Sequence, residues 1–285
     1  MMEWVTLLLV IDETTGLTEE HFLHTNLKIA IKLAKLKKRK ERLSEYIEKR
    51  RSLFFHKDVN IVDRTLQEEI DYFTQFDDQN TENLIVYFYD PSCTAYEKIR
   101  RLRNVLLPDN RLYPLPVTTN LAETCFLIDQ LDQHQHVVTA PEMTYERFRQ
   151  VVKSWLRNAS SWLISTNVKS VLSRKKRHKI YRQPRKDVFH QVYISPSGQI
   201  VLEGKDSFSV LWKDTLSKIG KNKYIWMITK GVELSHSPDG LIRHVILHDS
   251  SFPAHVPYIQ LFLPSASSSP SFQATLSQKE KMVPL

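Results

Sequence analysis

Apolar and polar positions alternate between two periods along this chain, and the changes of period mark its elements. Trp4–Ile11 is an unbroken apolar run that predicts a first strand. Leu23, Leu27, Ala30, Ile31, Ala34, Leu43 and Ile47 then recur at three- and four-residue steps, which predicts a long helix from Thr18, its cap, to about Arg51. A short strand at Val59–Val62 and a helix over Leu66–Phe76 follow. Asn83–Tyr89 is a strand stopped by Asp90-Pro91, and Thr94–Leu107 is a helix carrying Arg100, Arg101 and Arg103. Pro108, Pro114 and Pro116 mark an extended connection. Cys125–Leu131 fits either a strand or a short helix, and Thr144–Leu156 shows the single apolar stripe of a packed helix.

The pattern changes after residue 187. Val188–Ile194 alternates, Ser195-Pro196-Ser197-Gly198 supplies turn residues, and Gln199–Glu203 continues as a return strand, which together predict a β-hairpin. Asp206 or Ser207 caps a helix through Phe208, Leu211, Trp212, Leu216 and Ile219, with Gly220 as its stop. Lys223–Thr229 and Leu241–His248 are two further strands. From Ser265 the serine-rich tail has little to bury and is expected to be disordered. Strands alternating with helices predict an α/β layered fold, Rossmann-like, with an inserted antiparallel β-region.

Composition narrows the chemistry. A hydrophobic content of 41% is enough to build a core. No apolar run is long enough to span a bilayer, and Trp4–Ile11 lacks the basic and small-residue flanks of a signal peptide. Six glycines supply neither a dinucleotide fingerprint nor a phosphate loop. Cys93 and Cys125 have no metal spacing and fit a reducing, cytoplasmic setting as packing residues. The net charge of +8 is concentrated in Lys35–Arg42, which reads first as a solvated helix face, and Lys169–Lys186; as binding patches they point to an anionic surface or a nucleic acid as partner and to peripheral contact with a membrane.

Candidate chemistry gathers where Leu241–His248 ends. Ligands of open α/β sheets sit outside the carboxyl ends of the strands, so His248, Asp249 and Ser250 are the candidate acceptor-binding residues. His244 reads as packing on the same strand, and His190 as a surface residue of the hairpin. His134 and His136 would share a face on a strand but lack a third ligand nearby, and Asp77-Asp78 reads as an exposed turn. No nucleophile elbow or catalytic triad, metal set or cofactor motif is present.

The order Phe189–Tyr193, Ser195–Gly198, a helix through Trp212, a strand at Tyr224–Thr229 and Arg243-His-Val-Ile-Leu-His-Asp-Ser250 resembles the N-terminal half of bacterial poly(glycerol-phosphate) and serine-rich-protein glycosyltransferases. That resemblance, over residues 140–255, implies a retaining GT-B hexosyltransferase fold without its nucleotide-sugar domain. It divides the chain into a Rossmann-like region (1–139), a β-rich insert with its preceding helix and basic linker (140–205), a return to the sheet (206–264) and a tail (265–285). It implies an accessory acceptor-side half, inactive alone. Its partners would be a cell-wall polymer or serine-rich protein and a partner glycosyltransferase subunit. The rival readings are a basic nucleic-acid-binding protein and a protein-interaction subunit.

Overall fold

The computed structural model describes residues 6–36, 62–76, 83–91, 94–106, 111–117, 121–168, 188–219, 223–247 and 256–265. Two sheets and their helices stack as alternating layers. The first sheet is wholly parallel, in the order β2-β1-β3-β4: β1 Thr6–Asp12, β2 Lys28–Lys32, β3 Asn83–Tyr89 and β4 Arg111–Pro116. Its central strands carry unbroken apolar runs, Leu7–Ile11 and Leu84–Tyr89, because both faces are covered. Leu7, Leu9 and Ile11 of β1 pack into one cluster, and Leu8 and Val10 into another.

Helices α1 Leu66–Thr74 and α2 Tyr96–Leu106 cover the second of those faces through Phe73, Ile99 and Leu102. Thr65 and Glu68 start α1 as a capping box: each side chain accepts from the other's backbone N–H, at 3.2 and 2.8 Å. On the opposite face lie α3 Leu121–Gln133, the short α4 Gln135–Val138 and α5 Tyr145–Trp155. α3 is the central helix. Residues from Leu121 to Leu131 are almost all buried, because it is enclosed between the two sheets and touches both β8 Lys223–Lys230 and β10 Tyr258–Leu263.

The second sheet is mixed, in the order β7-β6-β5-β10-β8-β9, with β5 at Ser160–Ser165 and β9 at Gly240–Ile246. The predicted hairpin is present as β6 Phe189–Ile194 and β7 Ile200–Asp206, with Gly198 in the left-handed region at φ 76°. β10 runs antiparallel to both of its neighbours, whereas β8 and β9 are parallel. Helix α6 Phe208–Ile219 closes the outer face with Leu211, Trp212 and Ile219. Buried Gln191 of β6 fastens to α6, its amide donating to Thr215 Oγ1 at 2.7 Å and Asp214 Oδ2 at 2.8 Å.

Two predicted elements differ, and one left open between strand and helix is a helix. The described part of the expected Thr18–Arg51 helix is a 3-10 turn at Glu19–Phe22 followed by β2. Cys125–Leu131 lies within α3. The proline-rich connection is β4, at a sheet edge, where a proline's missing N–H removes no ladder bond. Residues 59–61, 248–255 and 266–285, with most of both basic stretches, lie outside the described residues, as do Asp77-Asp78 and Cys93.

Candidate functional site

β2 pairs on one side of β1 and β3 on the other, so the chain leaves β1 at a point where the strand order reverses. In open parallel sheets this point, at the carboxyl edge, is where ligands bind. Asp12 ends β1 there, and the chain turns sharply after it. Thr15 Oγ1 donates to the Asp12 carbonyl at 2.9 Å, and Gly16 takes φ 76°.

Asp12 is 6% exposed and anchors a buried polar network. Its Oδ1 accepts from the Tyr87 hydroxyl of β3 at 2.8 Å, and its Oδ2 from the Asp90 N–H at 2.8 Å. Lys32, the last residue of β2, places its ammonium 3.5 Å from Asp12 Oδ1 and within 2.9 Å of both oxygens of Glu69 on α1. The same ammonium donates to the Tyr87 hydroxyl and lies 4.5 Å from that ring's centre. Two carboxylates thus share one cation out of water. Burial raises the pKa of Asp12; the Lys32 charge, the Asp90 N–H and the Tyr87 hydroxyl act against that shift. Burial, then the charges of Asp12 and Glu69, push the Tyr87 hydroxyl well above its ordinary value.

Above this floor is a cavity of about 30 Å³, lined by Glu13, Thr14, Thr94, residues 33–35 and residues 62–64 as well as the network itself. That volume suits a single water; pockets for drug-sized ligands run to roughly 300–1,000 Å³. Thr14 is 7% exposed, and its hydroxyl has no hydrogen-bond partner among the described residues.

The second sheet presents the carboxyl edge of its parallel pair, β8 and β9, to the loop after β1. The loop after β1 reaches it through His21, whose Nε2 lies 3.4 Å from the Ile246 carbonyl. At that edge Lys230 is fully buried, 5.5 Å from the ring centre of Tyr258, its partner across the ladder. The Tyr258 hydroxyl is also buried without a hydrogen-bond partner among the described residues.

The candidate acceptor residues His248, Asp249 and Ser250 lie outside the described residues. His244 is half-buried, with Nε2 2.7 Å from Thr229 Oγ1 and its pKa lowered by burial. His190 has its pKa lowered by burial and then by Lys205. His134 is at the end of α3 rather than on a strand, stacked on Trp155 at 5.6 Å, its pKa lowered by burial and then by His136. Sequence reasoning missed Asp12, Lys32 and Glu69. The one available signal was the position of Asp12 at the end of the first strand.

The topology defines a class: a two-sheet α/β fold with a parallel four-stranded sheet and a mixed six-stranded one. No protein-family model matches the chain, and no curated protein does. Solved structures do. A DegV lipid binding protein from Thermotoga maritima superposes with a TM-score of 0.60 at 7% identity, over 91% of this chain and 99% of that one. A DegV family protein from Ruminococcus gnavus, solved with vaccenic acid, gives 0.58 at 8% identity, over 90% and 99%. The fatty acid kinase (Fak) B3 protein of Streptococcus pneumoniae, loaded with linoleic acid, gives 0.54 at 12% identity, again over 90% and 99%. Identity this low carries the fold alone.

These likenesses overturn the glycosyltransferase resemblance, with its GT-B and half-enzyme readings, its acceptor polymer or serine-rich protein, and its partner subunit. Hairpin, helix and two strands in succession are local features. What separates the folds is long-range pairing, here β10 inserted between β5 and β8. The nucleic-acid and anionic-surface readings are not supported either. Among the described residues several cations are engaged internally: Lys35 with Glu68, Lys98 with Asp63, and Lys218 with Asp214 and Glu203. No helix among the described residues is long and apolar enough to cross a membrane.

Proposed function

We propose that this chain is a non-catalytic binding protein for a fatty acid or a related long-chain carboxylate, working in the cytoplasm. The observation that carries this reading is the end-to-end superposition, in both directions, on structures described as lipid-binding or solved with vaccenic or linoleic acid. The site supports it chemically. The Thr14 hydroxyl, with no partner among the described residues, and the hydroxyl and cationic side chains of Thr94, Lys35 and Arg64 border one cleft at the carboxyl edge, the groups a carboxylate head needs. The buried Cys125 thiol, its pKa raised by burial and then by Asp129, fits a reducing compartment.

The cleft is too small as it stands for an acyl chain, so binding requires it to widen by roughly tenfold in volume. Lipid extracted from the purified protein and read by mass spectrometry is expected to contain long-chain fatty acids. Titration with oleate is expected to change tryptophan fluorescence saturably and raise the melting temperature. Empty extracts together with no response to oleate would overturn the proposal.

A further inference from the structure

Residues 33–35 and 62–64 run side by side along the cleft. Both ends of the first segment are anchored, by buried Lys32 and by buried Leu36, which is 7% exposed. Between those anchors the fastenings are polar. The Ala34 N–H donates to Glu13 Oε2 at 2.9 Å. The Val62 N–H donates to the Lys35 carbonyl at 2.8 Å, and Arg64 Nη2 donates to the Leu33 carbonyl at 3.0 Å. Lys35 pairs with Glu68 at 2.5 Å, both side chains more than a third exposed. Lys98 of α2 pairs with Asp63 and donates to the Arg64 carbonyl. Leu33, the large apolar side chain of the segment, is 43% exposed and contributes little burial.

We infer that residues 33–35, held against residues 62–64, form a strap that narrows the cleft and opens as a unit to admit ligand, an inference that rests on the binding function proposed above. Segments with few buried apolar contacts and solvent-exposed hydrogen bonds open at low free energy while the core stays intact. The Lys35–Glu68 pair is exposed enough to hold the segment weakly and to be screened by salt, whereas Lys98, 15% exposed, is the firmer fastening. The floor is different in kind, because Lys32 and Glu69 are desolvated and hold α1 to β2 whether or not the strap is open. Opening therefore exposes the Thr14 side of the cleft without dismantling the sheet edge.

The test uses the ligand-free full chain. Amide exchange at Ala34 and Val62 is expected to be faster than at Leu9 and Val10 of β1. Glu68→Gln, which releases Lys35 without removing it, combined with Lys98→Met is expected to speed the strap amides by about tenfold and leave β1 unchanged. Stopped-flow association of oleate is expected to accelerate in parallel. Strap amides that exchange in step with β1, or an association rate indifferent to the double variant, would overturn the strap. Faster strap exchange with no oleate binding in either protein would leave the strap standing and remove the fatty-acid reading.

Discussion

Lys32 and Glu69 meet at 2.8 Å with side chains only 4% and 1% exposed, and Asp12 is the second carboxylate on the same ammonium. Removing the cation alone strands two buried acids. Lys32→Met is therefore expected to destabilise the protein by about 3–5 kcal/mol in urea denaturation at neutral pH. Lys32→Met with Glu69→Leu replaces the pair by apolar groups of similar size and should recover part of that loss, Asp12 alone remaining without its cation. A double variant no more stable than the single one would show that the pair is not the source of the effect.

Asp12 sets a pH dependence whose sign follows from its raised pKa. Between its ordinary value of 3.8 and its folded value, the native state holds a proton that the unfolded chain has released. Stability from this group is thus full below 3.8 and falls as pH rises through the folded pKa. Asp12→Asn keeps an acceptor for Tyr87 and cannot ionise. Denaturation midpoints measured from pH 4 upward should decline less steeply with rising pH in the variant. Parallel curves would contradict the assignment.

Thr14→Val separates binding from stability. The hydroxyl has no partner among the described residues, so an isosteric apolar side chain is expected to leave the melting temperature unchanged or slightly higher. A hydrogen bond from this hydroxyl to a carboxylate is worth about 1.5–3 kcal/mol, so oleate affinity should fall by about tenfold or more. Unchanged affinity would exclude Thr14 from the head-group contact.

Gly204 faces Gln191 beside the bulge in the hairpin, and a Cβ built there lies 2.9 Å from Leu211 Cδ2 and 3.0 Å from Gln191 Oε1. Gln191 is pinned to α6 and cannot yield freely. Gly204→Ala is expected to cost about 1–3 kcal/mol, read by thermal denaturation. The loss should shrink when Leu211→Ala is added, since the two sites are in contact.

Gln260 of β10 accepts from the Leu121 N–H at 2.7 Å and so satisfies an otherwise orphaned donor at the start of the central helix. Gln260→Leu leaves that donor buried, at an expected cost of about 1–3 kcal/mol in urea denaturation. A neutral result would mean that the helix end finds another acceptor.

How much of this was readable in advance follows from periodicity and range. β1, β3, α5 and the hairpin carry a clear period and were legible. α3 was ambiguous because a helix enclosed on every side has no polar face to reveal its period. β2 was hidden because Ala30, Ile31 and Ala34 also satisfy a helical spacing, and only pairing to β1 decides between the two. The prolines of β4 argued for a connection, and its edge position removed the objection. The site was the least legible part. Lys32 and Glu69 are 37 residues apart, and nothing in either local sequence names the other. Thr65 and Glu68 could be recognised as a cap, but the residue after them carries the buried charge.

The placement of β10 has a consequence for how the chain is made. It lies near the middle of the second sheet but is the last strand among the described residues, pairing Gln260 with Leu163 on one side and Ile228 on the other. As the chain leaves the ribosome, β5–β7 and β8–β9 emerge as separate pieces, each with an open edge facing a gap. The first sheet, whose strands precede residue 117, can pair long before. The second must wait for Tyr258–Leu263, and until then its unpaired edges are open to wrong pairing and aggregation.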